Sequence, residues 1–255
     1  SPFDLDSTKF LCEKFKLKII KIASGEILSL DILNYLSKKN VEIILSTGMS
    51  TLDEIQKAIS ILNQFKRKKI TILHCTSSYP TKKNEANLNF IDTLKKKFDY
   101  DIGFSDHTIG NDASIMAIAK GSKIIEKHFT FNKNDIGPDH KFSMNRNEFK
   151  FFVSSISNSE YLLGSKNKIF SKTELQIKKS VRKSIVSSQD IPKGKIIEIN
   201  DICFKRPGTG ISPLKYKLVL GKKANKLIKA NKIIKKEYYN WKRSFFLQVP
   251  DLNTA

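Results

Sequence analysis

Five short runs rich in β-branched residues punctuate the first half of this chain: Ile19 to Ala23, Val41 to Ser46, Ile70 to Cys75, Asp101 to Ser105 and Lys123 to His128. They recur roughly 22 to 30 residues apart, about the length of a βα unit, and so predict five parallel strands. The intervening segments carry a helical period. In Thr51 to Phe65, Ile55, Ala58, Ile59 and Leu62 fall at i, i+3, i+4 and i+7, and Thr51 with Glu54 forms a capping box. Ile91, Leu94 and Phe98 mark another such segment. Strands that are apolar nearly throughout are expected to be buried on both faces, as in a parallel sheet covered by helices. The fold class is therefore α/β, doubly wound or a barrel.

A further helix is expected near Arg146 to Leu163, followed by a small, polar stretch from Gly164 to Lys168 and a second capping box at Ser171 and Glu174 that opens a connecting helix. Beyond Arg182 the texture changes to short apolar runs between turns at Pro192, Gly194, Pro207, Gly208, Gly210, Pro213 and Gly221. Ile191-Pro-Lys-Gly-Lys-Ile-Ile is echoed by Leu227-Ile-Lys-Ala-Asn-Lys-Ile-Ile, which suggests a small pseudo-symmetric β-rich module. The expected divisions are 1–163, a linker helix at 164–180, the module at 181–238, and a tail at 239–255.

The net charge of +21 raises nucleic-acid binding. Against it, the lysines are spread through every helix and turn, and the arginines are few: Arg67, Arg146, Arg182, Arg206 and Arg243. Base-edge readout favours the bidentate guanidinium, and no basic motif interleaved with aromatics is present, so no nucleic-acid partner is expected. No run of 18 apolar residues and no leader pattern occurs, so no membrane partner and a cytoplasmic location are expected. Cys12, Cys75 and Cys203 are odd in number and lack CxxC spacing, the pattern of reduced core thiols.

Chemistry-capable side chains cluster at strand ends. Lys21, Ser24 and Glu26 end the first strand, Ser46 the second, Tyr79 follows the third, Ser105 and His107 end the fourth, and Glu126 and His128 the fifth. In parallel α/β folds that edge gathers ligands, because the βα loops and helix N-termini converge there. His107 and His128 end successive strands about 4.8 Å apart, so both imidazoles could meet one metal ion. A general base or two satisfied core histidines fit the same spacing. His74, inside an apolar strand, reads as structural, and Glu126 as either structural or a support for the site.

Lys21-Ile-Ala-Ser-Gly-Glu, Leu45-Ser-Thr-Gly-Met, Leu73-His-Cys-Thr with Tyr79-Pro, Ser105-Asp-His-Thr, Glu126-Lys-His-Phe-Thr, Gly137-Pro-Asp-His and Lys205-Arg-Pro-Gly resemble, in order and spacing, the motifs of bacterial N-acetylneuraminate (sialic acid) synthases, from about Pro2 to Ile234. The resemblance implies a partial TIM barrel followed by an antifreeze-like (SAF) domain. The family barrel has eight strands, so three βα units, roughly 90 residues, would precede this sequence. The implied reaction condenses phosphoenolpyruvate with N-acetylmannosamine or a related N-acetylated amino sugar, releasing phosphate. Lys21, Ser24, Ser46 and Ser105 would cradle phosphate and carboxylate, with Ser1 at a ligand-contacting place. His107 and His128 would hold Mn²⁺ or Mg²⁺. Glu26, Tyr79 and Asp139 would bind sugar hydroxyls, with Glu26 also among the catalytic residues beside the two histidines. Arg206 would reach the sugar's N-acetyl group in the other subunit of a domain-swapped homodimer. Legionaminic or pseudaminic acid synthesis is the neighbouring possibility, and a non-catalytic remnant that only binds ligand is another.

Overall fold

The computed structural model describes residues 1–239, so the aromatic and polar tail lies outside the described residues apart from Tyr239. The chain divides into two compact units, 1–164 and 165–255. In the first, β1 (Ile19–Ile22), β2 (Glu42–Ser46), β3 (Ile70–Cys75), β4 (Asp101–Asp106) and β5 (Ile125–Lys127) form one parallel sheet in sequence order. The helices α1 (Leu5–Glu13), α2 (Leu30–Ser37), α3 (Leu52–Leu62), α4 (Phe90–Lys97), α5 (Asp112–Ala119) and α6 (Arg146–Leu163) lead in, connect the strands and follow the last of them. The spacing led to such a parallel sheet, and the partial barrel is the one the resemblance implies.

Two of these helices, α3 and α6, begin at capping boxes. Thr51 accepts from the backbone of Glu54 while Glu54 reaches back to Thr51, completing the expected capping box of α3. Asn145 and Glu148 do the same for α6. Ile55, Ala58, Ile59 and Leu62 are all buried, as their period requires.

Successive strand residues point to opposite faces, and the two faces are unlike. One set, Ile20, Ile22, Ile43, Leu45, Ile70, Ile72, Ile102 and Phe104, packs with Leu33, Leu36, Ile55, Leu62, Ile91 and Leu94 from the helices into a single core. His74 belongs to this face: it stacks at 5.7 Å on Phe104, and its Nε2 lies 2.8 Å from the carbonyl of Ala86. That histidine is structural, as expected. The opposite face carries the polar strand residues. Burial on both faces holds for β3 and, past its first residue, for β4; β1 and β2 alternate between buried and more open positions, because their second face borders the site.

The second unit contains α7 (Lys172–Val181) and an antiparallel pair, β6 (Ser184–Ser187) with β7 (Ile202–Lys205). Ser171 caps α7 by accepting from the backbone of Glu174. The reciprocal half of the expected box is missing, and the Glu174 carboxylate lies 3.3 Å from Lys168 instead. The two echoed segments pair with each other: Ile191 and Ile228 exchange backbone hydrogen bonds of 2.8 and 2.9 Å. Ile185, Ile191, Ile197, Ile228 and Ile234 form a second core.

Candidate functional site

The polar face of the sheet is built by register. Cys75 on β3 stands beside Ser105 on β4, and Ser105 beside Glu126 on β5. Ser105 donates to Glu126 at 2.6 Å, and the Lys21 ammonium, arriving from β1, lies 3.1 Å from the same carboxylate oxygen. Glu126 is thus the hub of the cluster. Burial alone pushes its carboxyl up, but Lys21 and the Ser105 hydroxyl outweigh that and hold it below the usual carboxylate range.

His107 and His128 face each other with ring centroids 5.0 Å apart and planes at 80°. The Tyr79 ring lies against both, at 4.2 and 5.4 Å. His107 Nδ1 is 2.8 Å from the carbonyl of Thr76, which can only accept, so that nitrogen carries the proton and Nε2 keeps its lone pair. Ser105, 3.3 Å from that Nε2, already gives its hydrogen to Glu126. His128 Nδ1 is 3.6 Å from Asp139. Burial and the neighbouring His107 hold His128 below the usual imidazole value, which keeps it neutral. For His107 burial acts downward, but the Cys75 sulfur and the Thr76 carbonyl outweigh it and the imidazole is raised.

Two imidazoles with free lone pairs suit a divalent transition ion. With metal–nitrogen distances of about 2.1 Å, their separation fits a shared ion. Among the described residues no group of three or more His, Cys, Asp and Glu side chains is arranged to hold an ion.

A second feature lies at the end of β2. Gly48 donates its N–H to Ser24 Oγ at 3.0 Å, and Ser24 donates to Cys75 Sγ at 3.6 Å. A Cβ on Gly48 would stand 2.2 Å from Ser77 Oγ, 2.9 Å from Ser24 Oγ and 3.2 Å from Cys75 Sγ. The hydroxyls of Ser46 and Ser77 are buried without any hydrogen-bond partner. Buried hydroxyls are normally satisfied, so two orphans at a strand edge mark a place for acceptors from outside.

Lys21, Ser105, Tyr79, His107, His128 and Asp139 are therefore joined by direct contacts, and Ser24 and Ser46 border the same edge. Ser1 lies near enough for the charges of Lys21 and Glu126 to act on it. Glu26 sits in a turn where it accepts from Ser29, with no bond to the cluster. Arg206 is exposed at the end of β7 in the second unit. Sequence reasoning missed Gly48, which lies inside a quoted motif, and Ser77, which lies between Leu73-His-Cys-Thr and Tyr79-Pro. Cys75 is free and buried, as a reduced core thiol should be, and its sulfur lies 3.9 Å from His107 Nδ1. Burial raises the thiol, and the hydrogen bond and charge of His107 bring it below its ordinary value.

A parallel half-barrel whose strand ends carry paired imidazoles beside a lysine and open hydroxyls defines a candidate metal-assisted, anion-handling enzyme of the TIM-barrel class. A sequence model of the NeuB family matches residues 1–168, one of the SAF domain matches 182–237, and the chain belongs to the NeuB family. It is 45% identical over 237 residues to the N,N'-diacetyllegionaminic acid synthase of Campylobacter jejuni, covering 92% of this chain and 71% of that one. To the pseudaminic acid synthase of Helicobacter pylori it is 38% identical, covering 91% and 68%. The crystal structure of N-acetylneuraminic acid synthetase from Leptospira borgpetersenii superposes with a TM-score of 0.63 at 34% identity, over 69% of this chain and 61% of that one. The chain spans between 62% and 71% of the length of the first curated relatives it matches. Among the described residues no helix is long and apolar enough to cross a membrane.

Proposed function

We propose that this chain is part of a synthase that condenses phosphoenolpyruvate with an N-acetylated amino sugar to give a nonulosonic acid and phosphate. The observation that carries this reading is the pair of facing imidazoles beside Lys21, Ser105 and two unpartnered hydroxyls. In the reaction, C3 of phosphoenolpyruvate bonds to the sugar's aldehyde carbon, whose oxygen takes up a proton. Water adds at C2 and gives up a proton, and the C2–O bond to phosphate breaks.

Lys21, Ser24, Ser46, Ser77 and Ser105 would bind phosphate and carboxylate by charge-assisted hydrogen bonds. Lys21 and Ser105 are already held by a carboxylate, Glu126, so they are preorganised for an anion. His107 and His128 would hold a divalent ion, Mn²⁺ or Mg²⁺, which supplies Lewis-acid polarisation of the aldehyde oxygen. Tyr79, Asp139 and Glu26 would orient the sugar. Arg206 would serve the N-acetyl group from the partner of a homodimer.

A sugar of the legionaminic series is the second reading, supported by the 45% identity to the Campylobacter synthase against 38% to the pseudaminic one. Calorimetry tests the common part. Wild type is expected to bind phosphoenolpyruvate, with Mn²⁺ uptake lost in the His107→Ala, His128→Ala double variant. Absence of phosphoenolpyruvate binding in wild type would sink the proposal; binding without phosphate release from any candidate sugar would reduce the chain to a ligand-binding remnant. Product analysis with N-acetylmannosamine and diacetylated sugars separates the two substrates.

A further inference from the structure

On the helix-facing side of β4 and β5, Asp106 and Lys127 stand opposite each other in register and form an ion pair of 3.0 Å. Their side chains are 0% and 4% exposed, far more enclosed than the Lys21–Glu126 pair on the other face. Each immediately precedes one of the facing imidazoles, His107 and His128. Alternation along a strand sends the charged residue to one face and leaves the site to its neighbour.

The pair is tied to the backbone that leaves β4. Asp106 Oδ1 accepts from the N–H and the hydroxyl of Thr108, both at 2.8 Å, and Oδ2 accepts from Ser114 at 2.6 Å. The Lys127 ammonium donates to the carbonyls of Thr108 and Gly110. Every bond of this network grips the segment on either side of His107 or fixes β5 just before His128. For holding a sheet together, a buried ion pair offers little over a well-packed apolar pair, because desolvation offsets the attraction. What the apolar pair lacks is direction: five oriented bonds define where the loop after β4 must run.

We propose that Asp106 and Lys127 are positioning residues that set the separation and orientation of the His107 and His128 rings. The inference rests on the reading of those histidines as an ion-holding pair. The test compares wild type with Asp106→Leu/Lys127→Met, which removes the oriented bonds without leaving a lone buried charge, in chains carrying ¹³C-labelled histidine. The double variant is expected to melt as wild type does and to keep the His74 signals. Its His107 and His128 signals should shift and broaden, and Mn²⁺ affinity, followed by electron paramagnetic resonance, should fall 10- to 100-fold, the usual cost of losing support behind metal-ligating histidines. Unchanged His107 and His128 signals would overturn the proposal. Should the double variant unfold, Ser114→Ala strips one donor from the carboxylate while both charges stay paired, and the same two signals decide. If wild type takes up no Mn²⁺, the ion-holding reading fails, and the histidine signals still judge the positioning role.

Discussion

Gly48 has no side chain in a space already claimed by Ser24, Ser77 and Cys75. Gly48→Ala would push the two hydroxyls aside, and phosphoenolpyruvate binding is expected to weaken at least tenfold, about 1.4 kcal/mol, with little change in melting temperature; calorimetry beside a thermal melt checks both. Lys21→Met removes a charged donor and should cost about 1.5–3 kcal/mol of the same binding energy. Glu126 gives a pH prediction. Its carboxyl is depressed in the folded chain, so its stabilising effect is full above the unfolded carboxylate value, near 4.3, and fades as pH falls through the folded value. Melting temperature against pH should therefore drop less on the acid side in Glu126→Gln than in wild type. At this scale the sequence was informative where a motif named a residue type with obvious chemistry. It was silent on Gly48 and Ser77, because what sets them apart is one close approach between the ends of β2 and β3, a distance no spacing along the chain records.

At the scale of the element, the strands and helices were legible because their periods differ and their caps are local. The α3 capping box needed only four consecutive positions to be read, and Thr51→Ala should cost about 1 kcal/mol by chemical denaturation. The α7 box was half wrong for an equally local reason, since Lys168, three residues before the cap, competes for Glu174. The alternation of β1 and β2 was harder to see. Isoleucine occupies both faces in the sequence, so composition alone reads as double burial, and only the packed helices reveal which half of the isoleucines is the core. Phe104, enclosed between β3, β5 and the stacked His74, is the largest fully buried side chain of that core. Phe104→Ala is expected to destabilise the first unit by about 3–5 kcal/mol, measured by urea unfolding.

At the scale of the molecule, two cores with no shared member underlie the two units. Ile191→Ala, at the junction of the echoed segments, should lower the melting transition of the second unit by an amount matching about 2–5 kcal/mol and leave that of the first in place, which calorimetric scanning resolves. The change of texture beyond Arg182 falls where the SAF match, 182–237, begins. Any role of Arg206 toward a substrate was not readable from folding physics at all, since an exposed turn arginine looks the same whether it serves a partner subunit or only solvent.

The opposition of Asp106 to His107 and of Lys127 to His128 means that chemistry and support are written in odd and even places of the same strands. Inserting or deleting one amino acid within β4 or β5 would exchange them: salt-bridging groups would turn into the ligand cleft and imidazoles would be driven among isoleucines.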